Sequence, residues 1–221
     1  MSLWIKICGN TTLADAQLAA EAGANAVGFV FAPSPRRVMP EQVAAITPHL
    51  SKKIEKIGVF VDATFDEIAS TVEAAGLTGV QLHFDAPREL PAQLRIRFGR
   101  NLRILRVVHF DAAIPTLPDD NAVDAIMVDS RTASAVGGTG KAFAWNLAAH
   151  TVFQKARQRK IAAGGLTPEN VAEAISILHP WGVDVVSGVE SAPGRKDPAK
   201  VRAFIANARA ASRETTSAAR L

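Results

Sequence analysis

Short apolar segments alternate with alanine-rich helical segments along nearly the whole chain. The apolar segments predict eight strands, at Trp4–Cys8, Ala26–Phe31, Lys56–Val61, Gly79–His83, Arg103–Val108, Ala125–Asp129, Lys160–Ala163 and Val183–Ser187. Helical periodicity predicts helices at Leu13–Ala22, Pro40–His49, Phe65–Ala75, Pro87–Phe98, Trp145–Arg157, Pro168–Leu178 and Pro198–Ala211. Repeated strand-helix alternation is typical of a parallel sheet whose crossovers are helices. We therefore predict an α/β fold, a (β/α)8 TIM barrel, with all 221 residues in a single domain.

Two segments depart from this regular pattern. The linker Asp111–Asn121 is short and rich in proline, so we expect a curtailed fifth helix. The last residues, Ser212–Leu221, are polar and lack a cap, which predicts a frayed tail. An open, doubly wound sheet is the alternative fold, but the turn after the first strand lacks the G-x-G-x-x-G pattern that such sheets often carry.

Composition limits the cellular compartments and the classes of binding partner to be expected for this chain. A single cysteine excludes an internal disulfide framework and fits a reducing compartment, and no apolar run suggests a signal peptide or a membrane span, so we expect a cytoplasmic protein. The net charge of +4 is dispersed and lacks interleaved aromatic residues. This pattern favours an anionic small-molecule substrate over nucleic acid or a membrane. It leaves a monomer and a homodimer both open.

The first strand ends in the only cysteine of the chain. Because side chains alternate along a strand, Trp4, Lys6 and Cys8 share one face, and Ile5 and Ile7 share the other. Cys8 then lies at the carboxyl end of the strand, where parallel α/β proteins bind ligands. A small buried hydrophobic role is the alternative for this thiol.

Glycine-rich turns follow the last three predicted strands. Exposed backbone N–H groups in such turns can bind an anion, and barrel enzymes often hold a phosphate between the loops after strands seven and eight. The sequence therefore predicts phosphate binding by Gly138, Gly140, Gly164, Gly165, Ser187 and Gly188.

Other polar side chains are predicted at the same end of the barrel. Asp129 can act as a general acid or cap a loop, and Arg36 can bind a carboxylate in a bidentate manner or form a surface salt bridge. His83 fits either a core position or a place in the site. Lys6 and Asp184 both interrupt apolar strands that are neighbours in a closed barrel, so we hypothesise an interior ion pair that also tunes the Cys8 thiol.

Several motifs together resemble one enzyme family. They are Lys6-Ile-Cys-Gly9, Gly28-Phe-Val-Phe31 with Ser34-Pro35-Arg36, Val80-Gln-Leu-His83, Val128-Asp129 with Gly137-Gly-Thr-Gly-Lys141, Gly164-Gly-Leu-Thr-Pro-Glu-Asn170 and Val183-Asp-Val-Val-Ser-Gly-Val-Glu190. From about Ile5 to Phe204 the chain resembles the N-(5′-phosphoribosyl)anthranilate isomerases of tryptophan biosynthesis. It departs from the family pattern at Phe84, where glycine is usual, so we expect the loop near His83 to differ in shape.

The resemblance implies an Amadori rearrangement on a (β/α)8 barrel, without a metal or an organic cofactor. By the same resemblance, Asp129 protonates the furanose ring oxygen as the general acid, and Cys8 removes the C2 proton as the general base. Arg36 binds the anthranilate carboxylate, and His83 is also assigned to substrate binding. The glycine turns hold the phosphate.

Two other functions compete with this interpretation. A histidine-pathway isomerase performs the same rearrangement but uses two carboxylates, whereas this chain has a cysteine on the first strand. A catalytically idle barrel used for binding would be expected to lack Cys8 or Asp129, and both are present.

Overall fold

Eight parallel strands close into a barrel. The computed structural model describes residues 2–83, 86–109, 121–129, 153 and 157–218. The barrel strands are β1 (Trp4–Ile7), β2 (Ala26–Val30), β3 (Glu55–Phe60), β4 (Gly79–Leu82), β5 (Arg103–His109), β6 (Ala125–Asp129), β7 (Arg159–Ala163) and β8 (Gly182–Val185). Each strand pairs with the next, and β8 pairs with β1. The predicted closed barrel is confirmed.

Six α-helices lie among the described residues. They are α1 (Leu13–Glu21), α2 (Pro40–Ala44), α3 (Phe65–Ala74), α4 (Leu90–Phe98), α5 (Val171–Leu178) and α6 (Pro198–Ala218). Four differ from the sequence-based predictions by more than a residue. α4 and α5 begin later than predicted, each after a turn that contains a proline. The other two are described next.

The helix predicted at Pro40–His49 is wrong in its second half. α2 ends at Ala44, and a separate 3-10 helix covers Thr47–His49. Pro48 has no N–H to donate to the carbonyl of Ala44, so an α-helix cannot continue through it.

The frayed tail predicted from Ser212 is also wrong over most of its length. α6 continues without interruption to Ala218. This helix packs against α5 and against the 3-10 helix Ser187–Val189. A helix already nucleated by such packing extends at little cost through alanine and other residues that tolerate helix.

The alternation predicted for the first strand is confirmed. Trp4 packs inside the barrel with residues of other strands such as Ile57 and Met127. Ile5 and Ile7 belong to the larger core between the barrel and its helices. Cys8 follows the last residue of β1, at the carboxyl-end mouth of the barrel.

A two-stranded antiparallel hairpin, absent from the predictions, lies between β8 and α6. Its strands are β9 (Glu190–Ala192) and β10 (Arg195–Lys196). Pro193 and Gly194 form the turn between them. The Pro-Gly dipeptide was a sequence signal for this turn, although the strands themselves are too short to show an alternating pattern.

Some predictions fall on residues that the structure does not describe. The curtailed fifth helix and most of the helix predicted at Trp145–Arg157 are among them, as are Phe84, Gly138 and Gly140. Of the helices that the structure describes, none combines the length and the apolar character that crossing a membrane would require.

Candidate active site

A cavity of about 280 Å3 opens at the carboxyl ends of the strands. Most predicted site residues that the structure describes line it, namely Cys8, Arg36, His83, Asp129, Gly164, Gly165 and Ser187. Gly188 follows Ser187 in the loop after β8. Gly138 and Gly140 lie outside the described residues. The barrel thus brings together side chains from strands and loops that are far apart in the sequence.

The thiol of Cys8 lies in a tightly packed part of the cavity wall. The residue is 4% exposed. Gly28 on β2 makes room for it, because a Cβ at Gly28 would lie 2.5 Å from Sγ of Cys8 and 2.9 Å from Cε of Lys6. Burial raises the pKa of the Cys8 thiol above its ordinary value, while the ammonium groups of Lys6 and Lys196 partly offset this effect. The two lysines are therefore the groups that favour the thiolate, while burial and the carboxylate of Asp184 oppose it.

The interior ion pair between Lys6 and Asp184 is confirmed. Nζ of Lys6 lies 2.8 Å from Oδ1 of Asp184, and the two residues are register partners on β1 and β8. Nζ also donates to Oε1 of Gln81 on β4 at 2.8 Å. Burial lowers the pKa of Lys6, but Asp184 and Cys8 raise it by more than burial lowers it. The ammonium therefore stays charged inside the barrel.

Asp129 is the last residue of β6. It is 6% exposed and lies opposite Ala163 of β7 in the strand register. Its side chain lines the same cavity as the Cys8 thiol. The mouth therefore brings together the carboxyl group of Asp129 and the thiol of Cys8 from the ends of different strands, and Asp184 of β8 adds a second carboxyl group to its lining.

Arg36 pairs with Glu190 beside the mouth. Nε of Arg36 donates to Oε1 of Glu190 at 2.8 Å, and Nη2 donates to Oε2 at 2.6 Å. The salt bridge left open by the sequence thus exists, but it lies beside the cavity instead of on the outer surface. Its hydrogen bonds to Glu190 contribute most to raising the pKa of Arg36.

The loops after β7 and β8 contact one another closely. Gly164 and Gly165 both adopt positive φ angles, of 80° and 65°. A Cβ at Gly188 would overlap the backbone carbonyl of Leu166, so only glycine allows this approach. The backbone of both loops is therefore held at one side of the cavity, which is the side predicted to hold a phosphate.

Two charged residues beside the site were not assigned any role from the sequence. Glu190 occurs in the last loop motif, and Lys196 belongs to β10. Lys196 had no sequence signal, since a lysine before Asp197-Pro198 reads as an ordinary residue at a helix start. Its burial, with 4% exposure, arises only when the hairpin packs against the ends of β1 and β8.

Comparisons with known proteins agree with this arrangement. A model of the N-(5′-phosphoribosyl)anthranilate isomerase family matches residues 5–207. The isomerase of that name from Pelobacter propionicus is 44% identical over 213 residues, which covers 96% of this chain and 98% of the relative. The solved phosphoribosylanthranilate isomerase of Thermotoga maritima superposes with a TM-score of 0.83 at 35% identity, over 94% of this chain and 99% of that one.

A further solved structure contains a ligand. It is a phosphoribosylanthranilate isomerase in complex with reduced 1-(o-carboxyphenylamino)-1-deoxyribulose 5-phosphate. It superposes with a TM-score of 0.79 at 33% identity, over 94% of this chain and 99% of that one. The ligand in that protein carries both a carboxylate and a phosphate, the two anionic groups for which the sequence predicted binding residues here.

Proposed function

Since this chain belongs to the N-(5′-phosphoribosyl)anthranilate isomerase family, we propose that the residues lining its barrel mouth divide the acid, base and binding roles of that reaction. The chain is an isomerase of tryptophan biosynthesis and acts on a phosphorylated small molecule. It converts N-(5-phospho-β-D-ribosyl)anthranilate to 1-(2-carboxyphenylamino)-1-deoxyribulose 5-phosphate. One observation carries the proposal, namely that Cys8 and Asp129 line one cavity at the ends of β1 and β6.

Asp129 acts first, as the general acid. Its carboxyl group gives a proton to the furanose ring oxygen, and the bond between C1 and that oxygen breaks. The nitrogen lone pair forms the C1–N double bond of a protonated Schiff base. A carboxyl group at the end of an apolar strand is partly shielded from water, which strengthens its interaction with the reacting oxygen.

Cys8 then acts as the general base. Its thiolate removes the proton from C2, and the electron pair of that C–H bond forms the C1–C2 double bond of an enolamine as the iminium nitrogen accepts electrons. The enolamine tautomerises to the ketose product. The charges of Lys6 and Lys196 favour the thiolate that this step requires.

The two ends of the substrate are held by different elements. The glycine turns at Gly164-Gly165 and Ser187-Gly188 bind the phosphate through backbone N–H groups, and the turn with Gly138 and Gly140 completes this site. Arg36 binds the anthranilate carboxylate, and His83 contacts the substrate from the end of β4. Anchoring both ends aligns the ring oxygen with Asp129 and C2 with Cys8.

We also propose that the protein acts in the cytoplasm as one domain, either as a monomer or as a homodimer. The single thiol supports a reducing compartment. The match to the family model over residues 5–207 supports one catalytic unit along the chain.

Replacing Asp129 with asparagine is expected to lower kcat by about 100-fold or more, because an amide cannot donate the proton that opens the ring. KM should change little, since the amide keeps the size of the carboxyl group. The loss of substrate fluorescence measures the rate, with phosphoribosylanthranilate generated in situ from anthranilate and phosphoribosyl pyrophosphate. Undiminished turnover by Asp129→Asn would refute the role of this residue.

Replacing Arg36 with alanine is expected to raise KM by about 10-fold to 100-fold with a smaller effect on kcat, because a charge-assisted pair with the substrate carboxylate is lost. Arg37, the exposed neighbour, offers the matched control as Arg37→Ala. The same assay, run over a range of substrate concentrations, separates the two constants. A large fall in kcat with an unchanged KM would contradict the binding role.

A further inference from the structure

Two buried charges connect the β9–β10 hairpin to the active site, and the proposed mechanism gives neither of them a role in binding the substrate carboxylate. Glu190 lies at the start of β9 and Lys196 at the end of β10. Nζ of Lys196 lies 3.1 Å from Oε1 of Glu190, and the side chains of Lys196 and Glu190 are 0% and 4% exposed. A buried pair of this kind requires other partners to offset the cost of removing both charges from water.

Glu190 finds such a partner in Arg36. The carboxylate contacts Nε and Nη2, which is one edge of the planar guanidinium. A guanidinium has a second edge, formed by Nη1 and the other hydrogen of Nη2, and Arg36 lines the cavity. The pair with Glu190 therefore fixes the orientation of Arg36 and leaves the second edge for a carboxylate of the substrate.

The carboxylate of Glu190 is itself held from other directions. The backbone N–H of Gly194, in the hairpin turn, donates to Oε1 at 3.2 Å. Burial raises the pKa of Glu190, but Arg36 and Lys196 lower it by more than burial raises it. The carboxylate therefore stays ionised. Glu190 is thus a rigid, charged support for Arg36 instead of a flexible surface acid.

Lys196 extends this support to the strand ends. Its Nζ donates to the backbone carbonyl of Cys8 at 2.6 Å and lies 3.4 Å from that of Val186. These carbonyls follow β1 and β8. One ammonium group therefore ties the hairpin both to the backbone of the proposed base and to Glu190.

We propose that Glu190 is a positioning residue, which acts through Arg36 to set the affinity of the enzyme for the carboxylate of its substrate, with Lys196 holding Glu190 in place. The inference rests on the proposed function, and in particular on Arg36 as the carboxylate-binding residue. The long side chain of arginine has several rotatable bonds, so an unsupported Arg36 must lose more conformational freedom when the substrate binds. Support from Glu190 removes that cost in advance.

The first test is steady-state kinetics of Glu190→Gln, which keeps the shape of the side chain and removes its charge. We expect KM to rise about 10-fold with kcat within about threefold of the wild type, as for loss of orientation at a binding group. In an Arg36→Ala background, the same substitution should have almost no further effect on KM. Glu173→Gln, at an exposed position on α5, removes an equal charge away from the mouth and serves as the control.

The second test measures binding without turnover. Titration calorimetry compares the product with its 1-phenylamino analogue, which has the same phosphate and lacks the carboxylate. Glu190→Gln should weaken binding of the product about 10-fold and leave binding of the analogue unchanged. Glu190→Asp, which keeps the charge on a shorter side chain, should recover part of the loss.

Other outcomes overturn the inference in separable ways. Equal weakening of both ligands, or an unchanged KM in Glu190→Gln, refutes the positioning role and leaves the proposed function intact. An effect of full size in the Arg36→Ala background shows that Glu190 does not act through Arg36. Failure of the wild type to bind either ligand refutes the proposed function together with the inference. Should Glu190→Gln not fold, Lys196→Gln is measured instead, with the same expected loss of affinity for the product alone.

Discussion

Cys8→Ser is expected to reduce kcat by about 1,000-fold or more, because a hydroxyl group is a far weaker acid than a thiol and provides almost no anion to remove the C2 proton. Binding should survive, since oxygen takes less space than sulfur at this tightly packed position. The fluorescence assay measures turnover, and titration with the product measures binding. Turnover near that of the wild type would remove Cys8 from the mechanism.

The pH dependence of the wild type checks the same assignment. Burial raises the pKa of the Cys8 thiol, so the free enzyme holds mostly neutral thiol at neutral pH. A base that acts as thiolate makes kcat/KM increase as the pH rises through that pKa. Cys8→Ser should lose this increase, and a wild-type profile without it would contradict a thiolate base.

Lys6→Met should produce the largest loss of stability, about 3–5 kcal/mol of the free energy of unfolding, because it leaves the carboxylate of Asp184 buried without its counter-charge. The Lys6 side chain is fully buried and that of Asp184 nearly so. Urea unfolding followed by circular dichroism measures the change. The double variant Lys6→Met/Asp184→Asn should regain part of the stability, because no unpaired charge then remains.

An exposed ion pair provides the comparison for this prediction. Arg97 and Glu73 also form a salt bridge, but their side chains are 57% and 52% exposed. Arg97→Met should therefore change the free energy of unfolding by less than about 1 kcal/mol. If Lys6→Met and Arg97→Met prove equally mild, the interior pair is not a significant source of stability.

Much of the fold could be predicted because its signals are local. The hydrophobic periods of strands and helices are visible among neighbouring residues. Eight strands that alternate regularly with helices are compatible with few topologies. The Lys6–Asp184 pair could be predicted for a related reason. Closing the barrel makes the first and last strands neighbours, and a charged residue inside an apolar strand needs a partner. Gln81, the third side chain in this interior cluster, contacts Lys6 from β4 across the barrel interior. No rule of strand adjacency predicts this contact.

Helix ends and the hairpin were less accessible to such reasoning. Pro48 prevents α2 from continuing to His49. This effect is local, so it could have been recognised in the sequence. The continuation of α6 to Ala218 could not be recognised in the sequence, because it depends on the packing of this helix against α5 and the loop after β8. Once tertiary packing has nucleated the helix, its polar and uncapped end extends at little cost.

The sequence by itself determined the barrel, the strand end that carries Cys8, the placement of Asp129 and the charge pair inside the lumen, because these follow from periodicity and from strand order. Only the tertiary structure decided that Glu190 contacts Arg36 and that Lys196 reaches the carbonyl of Cys8. The physical reason is distance along the chain combined with side-chain length. The conformation of the loops around the mouth decides which groups a long, flexible charged side chain contacts. Loop conformation has no periodic pattern in the sequence from which it could be predicted.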